Sequence, residues 1–432
     1  MKHLLFILGL SLAGLPVAAL AWSNHALGTA LALAELVSIK DAPQVEVETL
    51  ESFLEEEGVA LEQLLDEQEA FMRETYPGYP ARPDELHWLP LHRGDRRRAF
   101  LMALRANPET RLAYFVQALP GMDWQGRAPL DASEVMVFSK PNLWAAWHFY
   151  RVEPGERLPA LAVLASASDE PDYGHDINLF SDNPGEAGAR YNFGPQPFGD
   201  SRYEYSSQAP FHMGYYHESE LVYRGAPFLA RTYPEMRVFQ YIGLARFAFE
   251  SGHPYWGYRF LGWGLHYVQD LTQPYHAKAL PGHSDTRLLW AALKDVVGLD
   301  HERQAVMAQV AKRHTELEKY QVEELRQLLR DGNTESPLMR AYADQSRDGD
   351  YPAYDDRRYL RWAVSLEASK GADDLDQRLG EWLESANRPS MSFSQGNHLR
   401  PASRDSRLDE ALVRLLQHFG AHTRNVVRAV LP

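Results

Sequence analysis

The stretch YWGYRFLGWGLHYVQDLTQP, residues 255–274, carries apolar and aromatic side chains at helical spacing and runs into a proline. Intervals of three and four residues line one face of an α-helix, so this stretch predicts a helix with a continuous apolar face. The segment before it, PEMRVFQYIGLARFAFESG (234–252), reads the same way. So do 48–76, which ends at Pro77-Gly78, 96–119, which ends at Pro120-Gly121, and the later segments 302–329 and 406–431. Strand-like alternation is rare. The pattern predicts an all-α fold, a single large multi-helix domain. Gly257, Gly262 and Gly264 weaken a helix, which makes sense if neighbouring helices must approach it closely.

The beginning of the chain predicts export. Lys2 precedes an apolar run, and Ala19-Leu20-Ala21 places small residues where a signal peptidase cuts, so residues 1–21 read as a signal peptide and the mature protein begins at Trp22. The expected location is secreted or periplasmic. Gly14 and Pro16 interrupt the apolar run, and no later stretch is apolar for about 18 residues, which argues against an anchor. Of 44 basic residues one lies in the leader, so 43 face 59 acidic ones and the formal charge moves from −15 to −16. Such a surface repels a polyphosphate backbone at long range. The chain has no cysteine. Disulfides and thiolate-bound zinc are therefore excluded, and any metal must be held by His, Asp, Glu or backbone groups.

The same stretch that decides the fold also carries the chemistry. In HYVQDLTQPYH (266–276), His266 and Asp270 stand four apart, one turn from each other on one helix face, where imidazole and carboxylate reach a common ion. Pro274 stops the helix and turns His276 back toward them. Residues 171–212 are dense in Gly, Pro, Asn and Asp and read as a long ordered loop, a length associated with function.

The motif His-x3-Asp-x5-His, with Gln-Pro before its last residues, resembles that of the secreted zinc-dependent phospholipases C, including the clostridial alpha-toxin type, and of their relatives the zinc-dependent single-strand nucleases. The resemblance is strong over 235–280, fair at 22–30, 165–173 and 310–320, and weak elsewhere. It implies three zinc ions in a mainly helical domain, with the mature N-terminal tryptophan, here Trp22, as a ligand through its amine and carbonyl. Further ligands follow from it: His25, although family members place that histidine somewhat later; Asp172 in EPDYG, with Asp169 as alternative; His212 in APFHMGYYHE, with His217 as alternative; then His266, Asp270 and His276; and His314 with Glu318, four apart in RHTELEKY. Glutamate at that last position looks like the phospholipase branch.

By that resemblance Asp172, His212, His266 and Asp270 form one zinc site, His276, His314 and Glu318 a second, and Trp22, His25 and Asp270 a third, with Asp172 orienting or deprotonating the attacking water. The implied activity is hydrolysis of phospholipids by metal-activated water in a monomer that touches a membrane surface transiently. A single-strand nuclease and a non-catalytic zinc-binding helical protein are the alternatives. The intervals Trp22–Asp172, Asp172–His212 and His276–His314 exceed those of the family, so about 40–160, 173–211 and 283–310 read as insertions. The lipid-binding β-sandwich of the alpha-toxin type has no counterpart here.

Other histidines read as bystanders. His418 and His422 stand four apart without a carboxylate at ligand spacing, and predict a polar helix face. His283 and His301 compete with His314 but lack its carboxylate four residues on. His87, His92 and His148 lie among Trp and Pro residues and read as core or rim. Arg96–Arg98 reads as a solvated helix start, and Tyr215, Tyr216, Trp256 and Trp263 read mostly as core.

Overall fold

The computed structural model describes residues 22, 24–89, 94–120, 122, 124–139, 148–199, 204–284, 301–385 and 406–431, with only the backbone of 301–304. The leader and His92 lie outside the described residues, as does the side chain of His301. The chain is all-α. Its main helices are α1 (His25–Leu33), α2 (Leu50–Glu56), α3 (Gly58–Thr75), α4 (Arg96–Ala103), α5 (Ala160–Ala167), α6 (Pro234–Glu250), α7 (Pro254–Asp270), α8 (Pro274–Ala277), α9 (His301–Arg330), α10 (Pro337–Ala343), α11 (Leu366–Ser385) and α12 (Ser406–Val430). Among the described residues no helix is long and apolar enough to cross a membrane.

The antiparallel pair α6 and α7 forms the centre, with α5 and α12 packed on α7 and α1 packed across α5 and α12. Each helix of the pair starts on a proline, which lacks the N–H that a first turn leaves unused, and Gly252 (φ 90°) makes the turn between them. The glycines of α7 are contact points. A Cβ on Gly262 would lie 2.7 Å from the Leu164 carbonyl of α5, and one on Gly264 would lie 2.8 Å from Ile242 of α6. Trp256 and Trp263 are wholly buried in this core, which runs from Ala32 to Val430 and takes in α2, α3 and α4. The segment 40–160 thus shares the central core.

Two of the expected helices differ. The segment 48–76 divides at Glu57-Gly58 into α2 and α3. The segment 96–119 is helical only to Ala103. Arg105 adopts φ 52° and its buried guanidinium donates to the carbonyls of Pro80 and Tyr191, while Pro108 disfavours helix at the residue before it. Beyond them Phe115–Gln117 is a strand, β2. It belongs to a small antiparallel sheet in the order β2, β4 (Phe149–Arg151), β3 (Pro129–Leu130). A second two-stranded sheet pairs β1 (Val45–Glu46) with β5 (Arg157–Leu158). The aromatic and β-branched residues of 114–117 satisfy a helical period and a strand equally well, and pairing with Phe149–Arg151 decides between them.

Candidate metal centre

The end of α7 places His266 and Asp270 on one face, and Pro274 opens α8, which carries His276 back beside them. Helix α1 brings His25, the turn Glu170–Tyr173 brings Asp172, the short helix Ala209–His212 brings His212, and α9 brings His314 and Glu318. Their potential ligand atoms gather into three groups, each within 4.8 Å: His25, His266 and Asp270; Asp172, His212 and His266; and His276, His314 and Glu318. All eight side chains are buried. These three groups can hold metal ions. Their composition differs from the division the resemblance implies: His266 rather than Asp270 stands in two groups, Asp270 stands only with His25 and His266, and the groups, which comprise side-chain ligands, do not include Trp22.

Asp270 links the first two groups. Its Oδ1 lies 3.3 Å from His25 Nε2, and its Oδ2 lies 2.8 Å from His212 Nδ1 and 3.4 Å from His266 Nε2. Asp172 Oδ1 lies 3.7 Å from His212 Nδ1 and 3.6 Å from His266 Nε2. In the third group Glu318 Oε1 is 2.7 Å from His314 Nε2.

The rings are held from behind. His25 Nδ1 pairs with Gln269 Oε1 (2.9 Å), His266 Nδ1 with the Ser168 carbonyl (2.8 Å) and His276 Nδ1 with the His212 carbonyl (2.8 Å). An acceptor at Nδ1 requires the proton there, so Nε2 of each ring presents a lone pair to the cluster. The inward atoms His25 Nε2, Asp270 Oδ1, His276 Nε2 and Glu318 Oε2 are buried without a hydrogen-bond partner, and His314 Nε2 meets Glu318 Oε1 at 2.7 Å without the angles of a hydrogen bond. Buried orphans are costly, and several converging on common points match the donor set of a cation site.

The electrostatics follow from the same geometry. For Asp270, burial alone would favour the neutral acid, but His266 and His212 outweigh it and hold the carboxyl well below its usual range. For His212 burial disfavours the cation, yet Asp270, Asp176 and Asp172 prevail and raise it to about 10. Burial pushes Asp172 up to about 7 and carries Glu318 well above the ordinary range. It also takes His276 down to about 4 and His314 well below 6.5. His212 is thus held toward its imidazolium form, and a cation bound at its ring nitrogen would release that proton.

The remaining candidates are placed as follows. Asp169 stands in none of the three groups: its Oδ1 accepts the Ala26 N–H (3.1 Å), and its Oδ2 accepts from Gln117 (2.8 Å) and the Tyr173 hydroxyl (3.3 Å). It therefore ties β2 to the start of α1 just after His25. His217 is half-buried and engages the Arg361 carbonyl. The Trp22 indole is buried, donates from Nε1 to Thr272 Oγ1 (2.9 Å) and meets Phe419 edge-on, which brings the start of the described chain beside the end of α7. His418 and His422 are not a solvated face. Glu367 of α11 comes within 3.2 and 3.4 Å of them, a carboxylate that spacing along α12 could not reveal, and Arg347 donates to His418. His283 is buried, His87 sits beside Asp66 and His148 is exposed.

Sequence reasoning missed the supporting groups. Asp376 accepts from Tyr275, whose ring stacks on His314, and pairs with Arg313. Asp176 faces His212 from the side opposite the cluster. Neither has a spacing signal, because each meets its histidine through the fold. Comparison with protein-family models, curated proteins and solved structures finds no match to this chain.

Proposed function

We propose that the chain is a secreted zinc-dependent phosphodiesterase that hydrolyses phospholipids on the headgroup side of phosphorus. The observation that carries the reading is the convergence of three buried His and carboxylate groups on orphaned inward atoms, with Asp270 facing two of them. Imidazole and carboxylate donors are a set that zinc takes, and the resemblance of the motif at 266–276 is what selects zinc among the ions that accept it. His25, His266, Asp172, His212 and Asp270 would hold two ions, and His276, His314 and Glu318 a third. Bound there, zinc would neutralise charge on a phosphoryl group and make hydroxide available near neutral pH.

The chain's own part is positional. Fixed acceptors behind His25, His266 and His276 keep their rings from turning, so a substrate meets a preset geometry. Asp172, at 8 % side-chain exposure against 0 % for Asp270 and 2 % for Glu318, is the cluster carboxylate nearest solvent. Its position suits it to orient the attacking water or accept its proton. No covalent protein intermediate is required.

The deciding assay offers the mature protein a soluble phosphocholine ester, phosphatidylcholine and single-stranded DNA, each with and without chelator. Chelator-sensitive release of phosphocholine supports the reading. Turnover of DNA alone replaces it with a nuclease, and zinc binding without turnover of any substrate leaves a non-catalytic zinc protein.

A further inference from the structure

His212 differs from its neighbours in the metal centre. His25, His266 and His276 turn Nε2 inward and place Nδ1 on a neutral acceptor, a side-chain amide or a main-chain carbonyl. His212 is reversed. Its Nδ1 faces inward, 2.8 Å from Asp270 Oδ2 and 3.0 Å from His266 Nε2. Its Nε2 is buried without a hydrogen-bond partner, and the carboxylate it faces is Asp176, with Oδ2 at 3.6 Å.

Asp176 is itself rigidly held. Arg237 contacts its Oδ1 through Nε (2.8 Å) and Nη2 (2.6 Å), and the Tyr267 hydroxyl donates to Oδ2. Arg237 is anchored in turn on the carbonyls of Leu104 and Arg105. Asp176 belongs to none of the three ligand groups. Its Oδ2 is the carboxylate oxygen facing the back of the His212 ring, at 3.6 Å. A carboxylate placed there favours the proton on Nε2, leaves Nδ1 bare, and makes that nitrogen a stronger donor than an imidazole backed by a neutral acceptor.

We infer that Asp176 is the positioning residue of the Asp172–His212–His266 group, locking His212 to bind metal through Nδ1. This rests on the metal reading of the cluster and not on the identity of the substrate. His212 also accepts from His276 through its own carbonyl, so the third group depends on the His212 backbone and is independent of the ring that Asp176 holds.

The test measures zinc affinity by competition with a chromophoric chelator in the unaltered protein, Asp176→Asn and Glu69→Gln. Glu69 is the control because it is a buried carboxylate of α3, engaged by Arg73, Tyr79 and the Arg82 N–H and in none of the three ligand groups. Asp176→Asn is expected to weaken one of the three positions by about 10- to 100-fold, with Glu69→Gln unchanged there whatever its effect on stability. An Asp176→Asn affinity within about threefold of the unaltered protein overturns the inference. Nitrogen-15 spectra of histidine-labelled, zinc-loaded unaltered protein decide the matter even if the variant does not fold. A His212 ring protonated at Nε2 supports the inference, and one protonated at Nδ1 overturns it. Failure of the unaltered protein to take up zinc at all sinks the metal reading and this inference with it, whereas uptake without the affinity change sinks the inference alone.

Discussion

Asp270→Asn tests how the centre is held together. The amide keeps the volume of the side chain and removes its charge, so packing against the wholly buried surroundings is unchanged and the effect is electrostatic. In the metal-free protein, raising His212 from 6.5 to about 10 corresponds to about 5 kcal/mol in favour of the charged ring, and Asp270 is the leading carboxylate behind it. Breaking a buried pair by removing one partner costs about 3–5 kcal/mol, so chelated Asp270→Asn is expected to lose about that much in equilibrium denaturation. With metal present, Asp270 faces the first two groups while the third contains only His276, His314 and Glu318. The variant is therefore expected to keep one ion of three by elemental analysis. A variant with all its ions, and a chelated stability within about 0.5 kcal/mol of the original, would mean that Asp270 does not hold the centre together.

The folded His212 value lies above its ordinary 6.5, so its contribution to metal-free stability is complete below about pH 6.5 and is lost as pH rises through about 10; His25, also raised, acts in the same direction. Chelated protein should lose about 2 kcal/mol between about pH 7.5 and 9, at about 1.4 kcal/mol per pH unit for one proton, and a flat denaturation profile over that range would contradict this. Gly262→Ala puts a methyl 2.7 Å from the Leu164 carbonyl and should destabilise by about 1–3 kcal/mol, measured by the same denaturation; no loss would mean that α5 yields freely. A version that retains one residue before Trp22 keeps an amide where the resemblance places a ligand amine, and should bind one zinc fewer than the form starting at Trp22. Equal zinc in the two forms would remove Trp22 from the centre.

Much of the fold was legible because α6, α7, α9 and α12 combine a sustained apolar period with prolines and glycines that mark where helices start or meet. Residues 96–119 were not, because the left-handed Arg105 and the pairing of Phe115–Gln117 with Phe149–Arg151 are settled by distant partners. The candidate site was legible where its residues share one local element: His266, Asp270 and His276 lie on a helix and its turn, and His314 and Glu318 lie on one face of α9. Asp172 and Asp169 share a local context, and only the third dimension separates them, turning one toward His212 and His266 and the other toward Ala26 and Gln117. The same holds for Glu367 between His418 and His422, and for Asp176 behind His212.

On the proposed reading the three buried groups are zinc sites. Elemental analysis of protein beginning at Trp22, purified without chelator and dialysed against metal-free buffer, measures this directly. About three zinc ions per chain, lost on chelation and restored by zinc, is the predicted result. Less than about one ion per chain, with no uptake when zinc is added back, would contradict it.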